Sequence, residues 1–465
     1  MNDKAFIGSA AISPSYALFN PLDLYADEEY SKAIKTVPYM SSLSWLKMVK
    51  GRSSKRKVTR SEYSYYEEGQ FMNAKATIAA VTPNGLKWDI TLAAGDHLNL
   101  GGPGKTSFPV EGQTVVFQDG RTTGYVETKN ETVDSAHVVT VKKLNASQDI
   151  GAQALVGSTM VFYSNAQPAR GIGTQTRTPQ FEKITNKMQI VREKFDTEDV
   201  ELQNRLRFTT SSGQNYLWYK GIEDTMQRFE FQKETALLIT PQSDLLTDKN
   251  GKPVQTAFGM LPQIDQHGIN LEYFDSPEGA TFDEVMLALD NNYAEKSYIV
   301  GHGMNVMLKL KDWLIKFGQN GTGNISFSPF DGGESQAIKL NFKSYSVGAW
   351  EFYFQQWSIF SHKDSLGAPG LPYRHMMVFI PAGNTKNPDP NKSSDSPDYE
   401  PYLQLVSPVW GRHPNIDKGE YLMWETGALA QPNPTNETME QVVHMYSVIS
   451  LEMRNRHKFA KLELA

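Results

Sequence analysis

The sequence predicts an α+β chain of several domains, and three observations predict it. Residues 61–94 and 108–163 carry short apolar runs separated by Asn84-Gly85, Asp119-Gly120 and a glycine-containing loop, the pattern of strands joined by tight turns. Tyr219, Ile222, Met226, Phe229, Ala236 and Thr240 then fall at helical spacing and Pro241 ends the run, which predicts one long amphipathic helix over 214–240. Beyond it, helical stripes alternate with buried strands as in an α/β domain. At 465 residues the chain exceeds what a single hydrophobic core fills, so more than one core is expected.

The first element is an arm. Residues 1–51 carry Phe6, Tyr16, Phe19, Tyr25, Tyr30, Trp45 and Leu46, while Pro14, Pro21 and Pro38 cut them into short pieces, with short helices expected near 27–35 and 41–49. Such an arm cannot build its own core, so its apolar residues need a surface supplied by the rest of the chain or by a neighbouring subunit. Lys47, Lys50, Arg52, Lys55, Arg56, Lys57 and Arg60 follow with no acid between them. A solvated linker is the plain reading of such a run, and contact with an acidic neighbour or with packaged nucleic acid is the other.

The β elements come next. A hairpin joins 76–81 to 86–92 through Asn84-Gly85, and strands over 114–117, 125–128, 138–141 and 160–163 suggest a small barrel or sandwich. The stretch 168–179 reads as a return segment, and a strand resumes over 184–195, so the β block looks inserted within a longer hairpin. After the long helix, Asn250-Gly251 marks a turn, and Thr281 with Glu284 makes a capping box ahead of a stripe of Phe282, Val285, Met286, Leu289 and Tyr293. Residues 298–300 read as a buried strand, and Met307, Leu310, Trp313, Leu314 and Phe317 stripe a further helix ended by Gly318. Strands are expected at 338–345 and 376–380, an exposed loop between Pro381 and Tyr402, and a long strand over 442–453 with 459–464 paired beside it.

Several function classes fall away. The absence of cysteine excludes disulfides, thiolate zinc sites, iron–sulfur clusters and cysteine nucleophiles. The first ten residues lack the pattern of a secretory signal and no apolar run is long enough to span a bilayer, so a soluble cytoplasmic product is expected. A net charge of −6 makes any nucleic-acid contact local rather than a whole-protein field. Gly104-Lys105-Thr106 resembles a phosphate loop, but Asn99 stands where its first glycine belongs and Pro109 opens a strand, not a helix. Asp389, Asn391, Ser393, Asp395 and Glu400 have the spacing of a calcium loop, yet Ser394 replaces the turn glycine and prolines oppose its flanking helices. Gly301-His302-Gly303 lacks the third glycine of a dinucleotide fingerprint, where Val306 stands, so His302 reads as a loop or core histidine. The acid pairs Glu28-Glu29 and Glu67-Glu68 are adjacent in sequence and point apart. No catalytic, cofactor-binding or metal-ligating residue is assigned, and no enzyme activity is expected.

The order of these parts resembles the major capsid protein of tailed bacteriophages, whose fold is shared with the floor of herpesvirus shells. The matching pieces are an N-terminal arm (1–60), an extended β-hairpin loop (61–210) with an inserted small β domain at about 100–175, a peripheral domain with the long spine helix (211–260), an axial α/β domain (261–424), and return strands of the peripheral domain (425–465). The run Gln227 to Glu234 ahead of Leu245-Leu246, and 446–454 followed by Phe459-Ala460-Lys461, is similar to the crAss-like phages of gut bacteria. The inserted β domain departs from the minimal family pattern. The resemblance implies hexamers and pentamers closing into an icosahedral head around double-stranded DNA, assembled in the host bacterial cytoplasm, without cofactor or membrane. The partners it implies are the chain itself, portal, scaffolding and auxiliary capsid proteins, and nonspecific contact with the DNA. Phe6, Tyr16, Phe19 and Trp45 are then expected as subunit-interface anchors, and Ile222, Met226 and Phe229 as the packed face of the spine helix. Arg52, Lys55, Arg56, Lys57 and Arg60 are expected to meet DNA or an acidic neighbour. The alternative is a carbohydrate-binding or other β-rich virion or surface protein that stacks its eight tryptophans and 21 tyrosines on sugar rings. A hydrolase whose acids are scattered along the sequence is the further alternative.

Overall fold

The structure is a computed structural model that describes residues 45–46, 56–68, 75–93, 109, 111–130, 138–167, 181–198, 216–319, 344–363, 365–387, 398–409, 421–427 and 440–465. The expectations for Phe6, Tyr16, Phe19, Arg52, Lys55, the helix near 27–35, the loop around Lys105, the acidic loop 389–395 and residues 338–343 lie outside these. The chain divides into two compact units, 65–184 and the remainder. It passes from one to the other along β2 (Glu62–Glu68), which follows β1 (Arg56–Val58), and returns along β9 (Phe181–Lys187), the partner of β2 in a two-stranded sheet.

The 65–184 unit is a closed barrel. Its strands are β3 (Lys75–Asn84), β4 (Lys87–Leu92), β5 (Gln113–Val116), β6 (Thr123–Asn130), β7 (Val138–Lys143) and β8 (Thr159–Asn165), in the order β3-β4-β7-β6-β5-β8. Closure satisfies both edges of every strand, which removes the exposed ladder that an open sheet presents. Period-two alternation turns Ala76, Ile78, Ile90, Leu92, Val139 and Val141 inward to meet Val115, Phe117, Val126, Met160 and Phe162. A one-turn helix, α1 (Ile150–Gln153), is N-capped by Asp149, whose carboxylate accepts from the Gly151 N–H, and adds Ile150 to this core. Gly85 and Gly120 take the positive φ of 62° and 66° that the two hairpin turns require. The sequence kept the 76–92 hairpin apart from the inserted block. The structure makes it two of the six strands, because Ile78, Ile90 and Leu92 share one apolar interior with Val115 and Val139.

The larger unit holds two sheets. After β10 (Gln189–Glu198) come the long helix α2 (Tyr216–Ile239), the hairpin β11 (Ser243–Thr247) and β12 (Pro253–Thr256), and α3 (Met260–His267). Then follow β13 (Ile269–Tyr273), α4 (Gly279–Asn291), β14 (Ser297–His302), α5 (Met304–Gln319), β15 (Ser344–Val347), β16 (Trp350–Gln356), β17 (Met377–Pro381) and the hairpin β18 (Asn384–Asn387) with β19 (Asp398–Pro401). The chain ends with β20 (Leu403–Pro408), β21 (Leu422–Thr426), β22 (Glu440–Met453) and β23 (Ala460–Leu464). One sheet runs β13-β23-β17-β14-β16-β15, and the other runs β1-β20-β22-β10 with β21 also on β22. The six-stranded sheet has apolar residues on both faces. Tyr298, Val300, Met377 and Phe379 meet Phe282, Val285, Met286 and Leu289 of α4 and Val306 and Leu310 of α5. Val378 and Ile380 turn the other way, into a second core with Leu261 and Ile264 of α3 and Phe229, Leu237 and Leu238 of α2.

Several expectations need correction. The strand expected over 184–195 is two strands in two sheets, because Met188 is buried between them with its N–H bonded to the Ser61 carbonyl at 2.9 Å. The segment 459–464 does not pair beside 442–453; β23 lies between β13 and β17 in the other sheet. A corner makes this switch: Asn455 adopts a left-handed φ of 53° ahead of a 3-10 turn at Arg456–Lys458. The corner is strapped by the Arg454 N–H to the Tyr402 carbonyl at 2.8 Å, and by the Tyr402 hydroxyl donating to Glu295 at 2.5 Å with Lys458 beside both. Residues 403–408 and 422–424, placed in the axial region from sequence, pair with β22 instead. Thr281 is the third residue of α4 rather than its cap: Glu278 is the N-cap, and the two side chains satisfy each other's backbone N–H. The loop expected between Pro381 and Tyr402 includes the β18–β19 pair.

Gly301 of β14 shows how tightly the two sheets' contents are fitted, since a Cβ there would land on the Trp357 indole, itself fully buried. Gly301→Ala should therefore cost about 1–3 kcal/mol by overpacking. Chemical denaturation reads this as a lower midpoint at unchanged slope.

Candidate functional site

The strand β22 organises the larger unit's most distinctive surface. Alternation sends Val443, Met445, Ile449, Leu451 and Met453 into the core shared with α2. His444, Tyr446, Ser450 and Glu452 therefore share the opposite face, which has a covered half and an open half.

The covered half is the root of the β2–β9 ribbon. The Glu452 carboxylate is fully buried and accepts from Arg56 Nη1 at 2.5 Å and from Arg454 Nε at 2.7 Å. Tyr63 lies beneath the Arg56 guanidinium, 5.8 Å from its ring centre, and its hydroxyl donates to Ser450 at 3.1 Å. The Ser450 hydroxyl in turn donates to the Lys187 carbonyl at 2.8 Å. Next to it, Asn186 donates to the Leu451 carbonyl and accepts from the Phe258 N–H, each at 2.9 Å. Ser64 and Thr185 share a hydrogen bond across the ribbon at 3.1 Å. Every strand that enters or leaves the ribbon is thus tied to β22 by side-chain hydrogen bonds. Burial raises the Glu452 pKa above the usual carboxylate range and the Arg56 charge pulls it partly back. Burial likewise raises the Tyr63 phenol, which stays a neutral donor.

The open half is a groove of about 500 Å³. Arg192, Tyr446 and Leu422 form one rung across β10, β22 and β21, and Lys194, His444 and Trp424 form the next. Trp424 stacks on His444 with ring centres 5.2 Å apart and planes at 15°, and the Arg192 guanidinium stands 4.9 Å over Tyr446. His444 Nε2 lies 2.7 Å from the Thr426 hydroxyl, and burial, aided by Lys194, lowers its pKa. Lys194 is neutralised by Asp196 at 2.7 Å. The groove offers aromatic faces and one exposed guanidinium, with no pairing of acid and base suited to catalysis.

The residues predicted from sequence fall in three places. Phe229 is fully buried, and Ile222 and Met226 are half-buried against the same core, so this stripe of α2 faces the sheet. One turn on, Lys233 is buried with its ammonium 4.9 Å over the Phe229 ring, and it pairs with Glu230 at 2.6 Å. Trp45, expected at a subunit interface, is fully buried within its own chain, 6.2 Å from Trp357. The chain's own core supplies the apolar surface this indole needed. Of the basic cluster, Arg56 is held by Glu452, while Lys57 and Arg60 are exposed. Glu452 and Ser450 were missed, although a carboxylate inside an otherwise apolar strand signals a buried partner. The Trp424–His444 stack carries no sequence signal, since β21 and β22 are joined only by register.

Chemistry elsewhere is sparse. His302 is buried with Nδ1 2.9 Å from the Gly303 carbonyl, and burial lowers its pKa, the condition of a core histidine. Among the described residues no group of three or more His, Cys, Asp or Glu could hold a metal ion, and no helix is long and apolar enough to cross a membrane.

No protein-family model matches the chain, and no curated protein matches it. Among solved structures it is similar to the capsid asymmetric unit of cyanophage A-1(L), with a TM-score of 0.41 and 9% identity over 64% of this chain and 84% of that one. It is similar to a chain of Mycobacterium phage Adephagia, with a TM-score of 0.39 and 6% identity over 94% and 96% of the two chains. It is also similar to the SrpI encapsulin of Synechococcus elongatus, with a TM-score of 0.34 and 8% identity over 61% and 77%.

The raised pKa of Glu452 fixes a sign. A carboxyl whose folded pKa lies above its unfolded one favours the fold most when protonated, so its contribution is full below the unfolded pKa and is lost as pH rises through the folded pKa. The stability of the native chain relative to Glu452→Gln should therefore rise as pH is lowered from neutrality toward the unfolded carboxyl's pKa. Urea unfolding of both proteins across that window measures it, and a pH-independent difference would contradict the assignment.

Proposed function

We propose that this chain is the major capsid protein of a tailed bacteriophage, a structural subunit rather than an enzyme. The observation that carries the reading is the order of connected parts. A ribbon bearing a complete barrel is rooted in a sheet, a long helix backs that sheet, a separate α/β sheet follows, and the chain returns to finish the first sheet with β22. That is the order of extended loop, spine helix, axial domain and return strands in the family that the sequence resembles. Rooting a ribbon through buried hydrogen bonds suits a part that must bear load from a neighbour, and an active site would not need it.

The finer reading follows from the same parts. Copies assemble as hexamers and pentamers of an icosahedral head enclosing double-stranded DNA, in the host bacterial cytoplasm, with portal, scaffolding and auxiliary capsid proteins as partners. The barrel presents Leu86, Leu155 and Val156, 90%, 60% and 70% exposed, as apolar contacts for another chain. Phe6, Tyr16 and Phe19 serve as anchors on neighbouring subunits, and Lys57 and Arg60 supply local contact with DNA. One observation favours a second reading: the Trp424 and Tyr446 groove has the aromatic faces that a carbohydrate would stack on.

Expression of the full chain, alone and with its assembly partners, followed by negative-stain electron microscopy, separates the two. Shells or capsomer-sized rings are expected. A uniform small oligomer that binds oligosaccharide and never forms rings would replace the capsid reading with the second.

A further inference from the structure

The six-stranded sheet carries two helices of opposite charge against one face, where α4 and α5 share a core. The helix α4 lies above β15 and β16: the Phe282 ring is 5.2 Å from Tyr345 and 6.1 Å from Phe352, and Lys296, just after the helix, stands 4.1 Å over Trp350. The helix α5 reaches β13, which α4 also touches: its Lys309 ammonium is 5.7 Å over the Tyr273 ring and donates to the Asp275 carbonyl.

The exposed faces differ in kind. On α4 the exposed residues include Asp283, Glu284, Leu287 and Asp290, and the helix contains no basic residue. Asp290 is paired with Lys296 at 2.5 Å, which leaves Asp283 and Glu284 flanking a leucine that is 66% exposed. On α5, Met304, Leu308 and Lys311 are exposed at helical spacing, the first two 42% and 44% so. Beside them Phe274 is 83% exposed, held in water by a tight turn in which Asp275 takes a φ of 58° and the Ser276 N–H bonds the Phe274 carbonyl at 2.7 Å. A non-glycine residue in that conformation costs free energy, and exposing a phenylalanine costs more, so the turn has something to gain from a partner.

An acidic face with a leucine and a basic face with apolar side chains complement each other. In one molecule both patches are exposed, so they do not cover each other, and a second copy can bring them together head to tail. A contact of that kind repeats from copy to copy and closes into a ring when the rotation allows. We propose that Asp283, Glu284 and Leu287 of α4 dock on Met304, Leu308 and Lys311 of α5 in a second copy of this chain, with Phe274 at the margin. The charge pair sets the direction of the ring and the apolar residues supply the buried area. This rests on the capsid reading above and names one contact by which the rings form.

The test uses two full-length variants. Asp283→Lys with Glu284→Lys reverses α4, and Leu308→Glu with Lys311→Glu reverses α5; all four positions are exposed, so thermal melting should match the native chain. Sedimentation velocity and electron microscopy should show the native chain forming rings and each variant losing them about tenfold or more, through like-charge contact. Mixed in equal amounts, the two variants should recover rings, because junctions in an alternating even-membered ring join the two reversed faces and the two native faces in turn, and both kinds are complementary. Native rings that survive either reversal would mean that another occupant uses these faces, and a mixture as defective as its components would equally overturn the contact. A native chain that forms no rings at all would instead remove the capsid reading, which keeps the two failures apart.

Discussion

The larger unit depends on a constraint that only the end of the chain can satisfy: β22 must be in place before its sheet exists. It bonds β10 along its whole length in a ladder that runs from Gln189 opposite Ile449 to Glu198 opposite Glu440, and it also holds β20 and β21. Pairing across such sequence separations costs loop-closure entropy before any contact repays it, which places this topology among slower folders. What repays it is alternation. One face of the strand feeds a core with the long helix, and the other collects the polar groups that root the ribbon.

That polar collection is unusual in charge. A carboxylate stripped of water costs several kcal/mol, and Glu452 is tolerated because two guanidiniums and the surrounding hydrogen bonds return much of it. A buried pair of this kind adds little net stability over an apolar replacement, but it is selective. Arg56 can satisfy Glu452 in one register of β1 on β20 only, with Arg56 opposite Val406. The ion pair therefore acts as a register pin where a short strand of three residues would otherwise slide.

Much of this was legible in the sequence, for physical reasons that can be named. The long helix was readable because Tyr219, Ile222, Met226 and Phe229 repeat at its period, and the turns at Gly85, Gly120 and Gly251 because only glycine takes positive φ cheaply. The destination of a strand was not readable, since local pattern says that a segment is extended but not which partner it meets. That is why β23 and the residues 403–408 and 422–424 were placed with the wrong neighbours, and why the 76–92 hairpin was separated from its barrel. Trp45 illustrates the same limit for the site: its apolarity demands cover, and the sequence does not say whether its own chain or another provides it. Opposite charge on α4 and α5 is visible in the sequence, but which of their residues stay exposed depends on the core that the two helices share against the sheet.

The corner at Asn455 has a mechanical consequence. Through this crease β22 of one sheet continues into β23 of the other, so the two sheets are covalently joined by a few residues at this point. The Tyr402, Glu295 and Lys458 strap ties the residues on either side of the crease together. Because Val378, Ile380 and Phe459 also share one core with Val443 and Met445, the crease is braced from inside by packing as well as from outside by the strap, and a change of angle between the sheets has to disturb both.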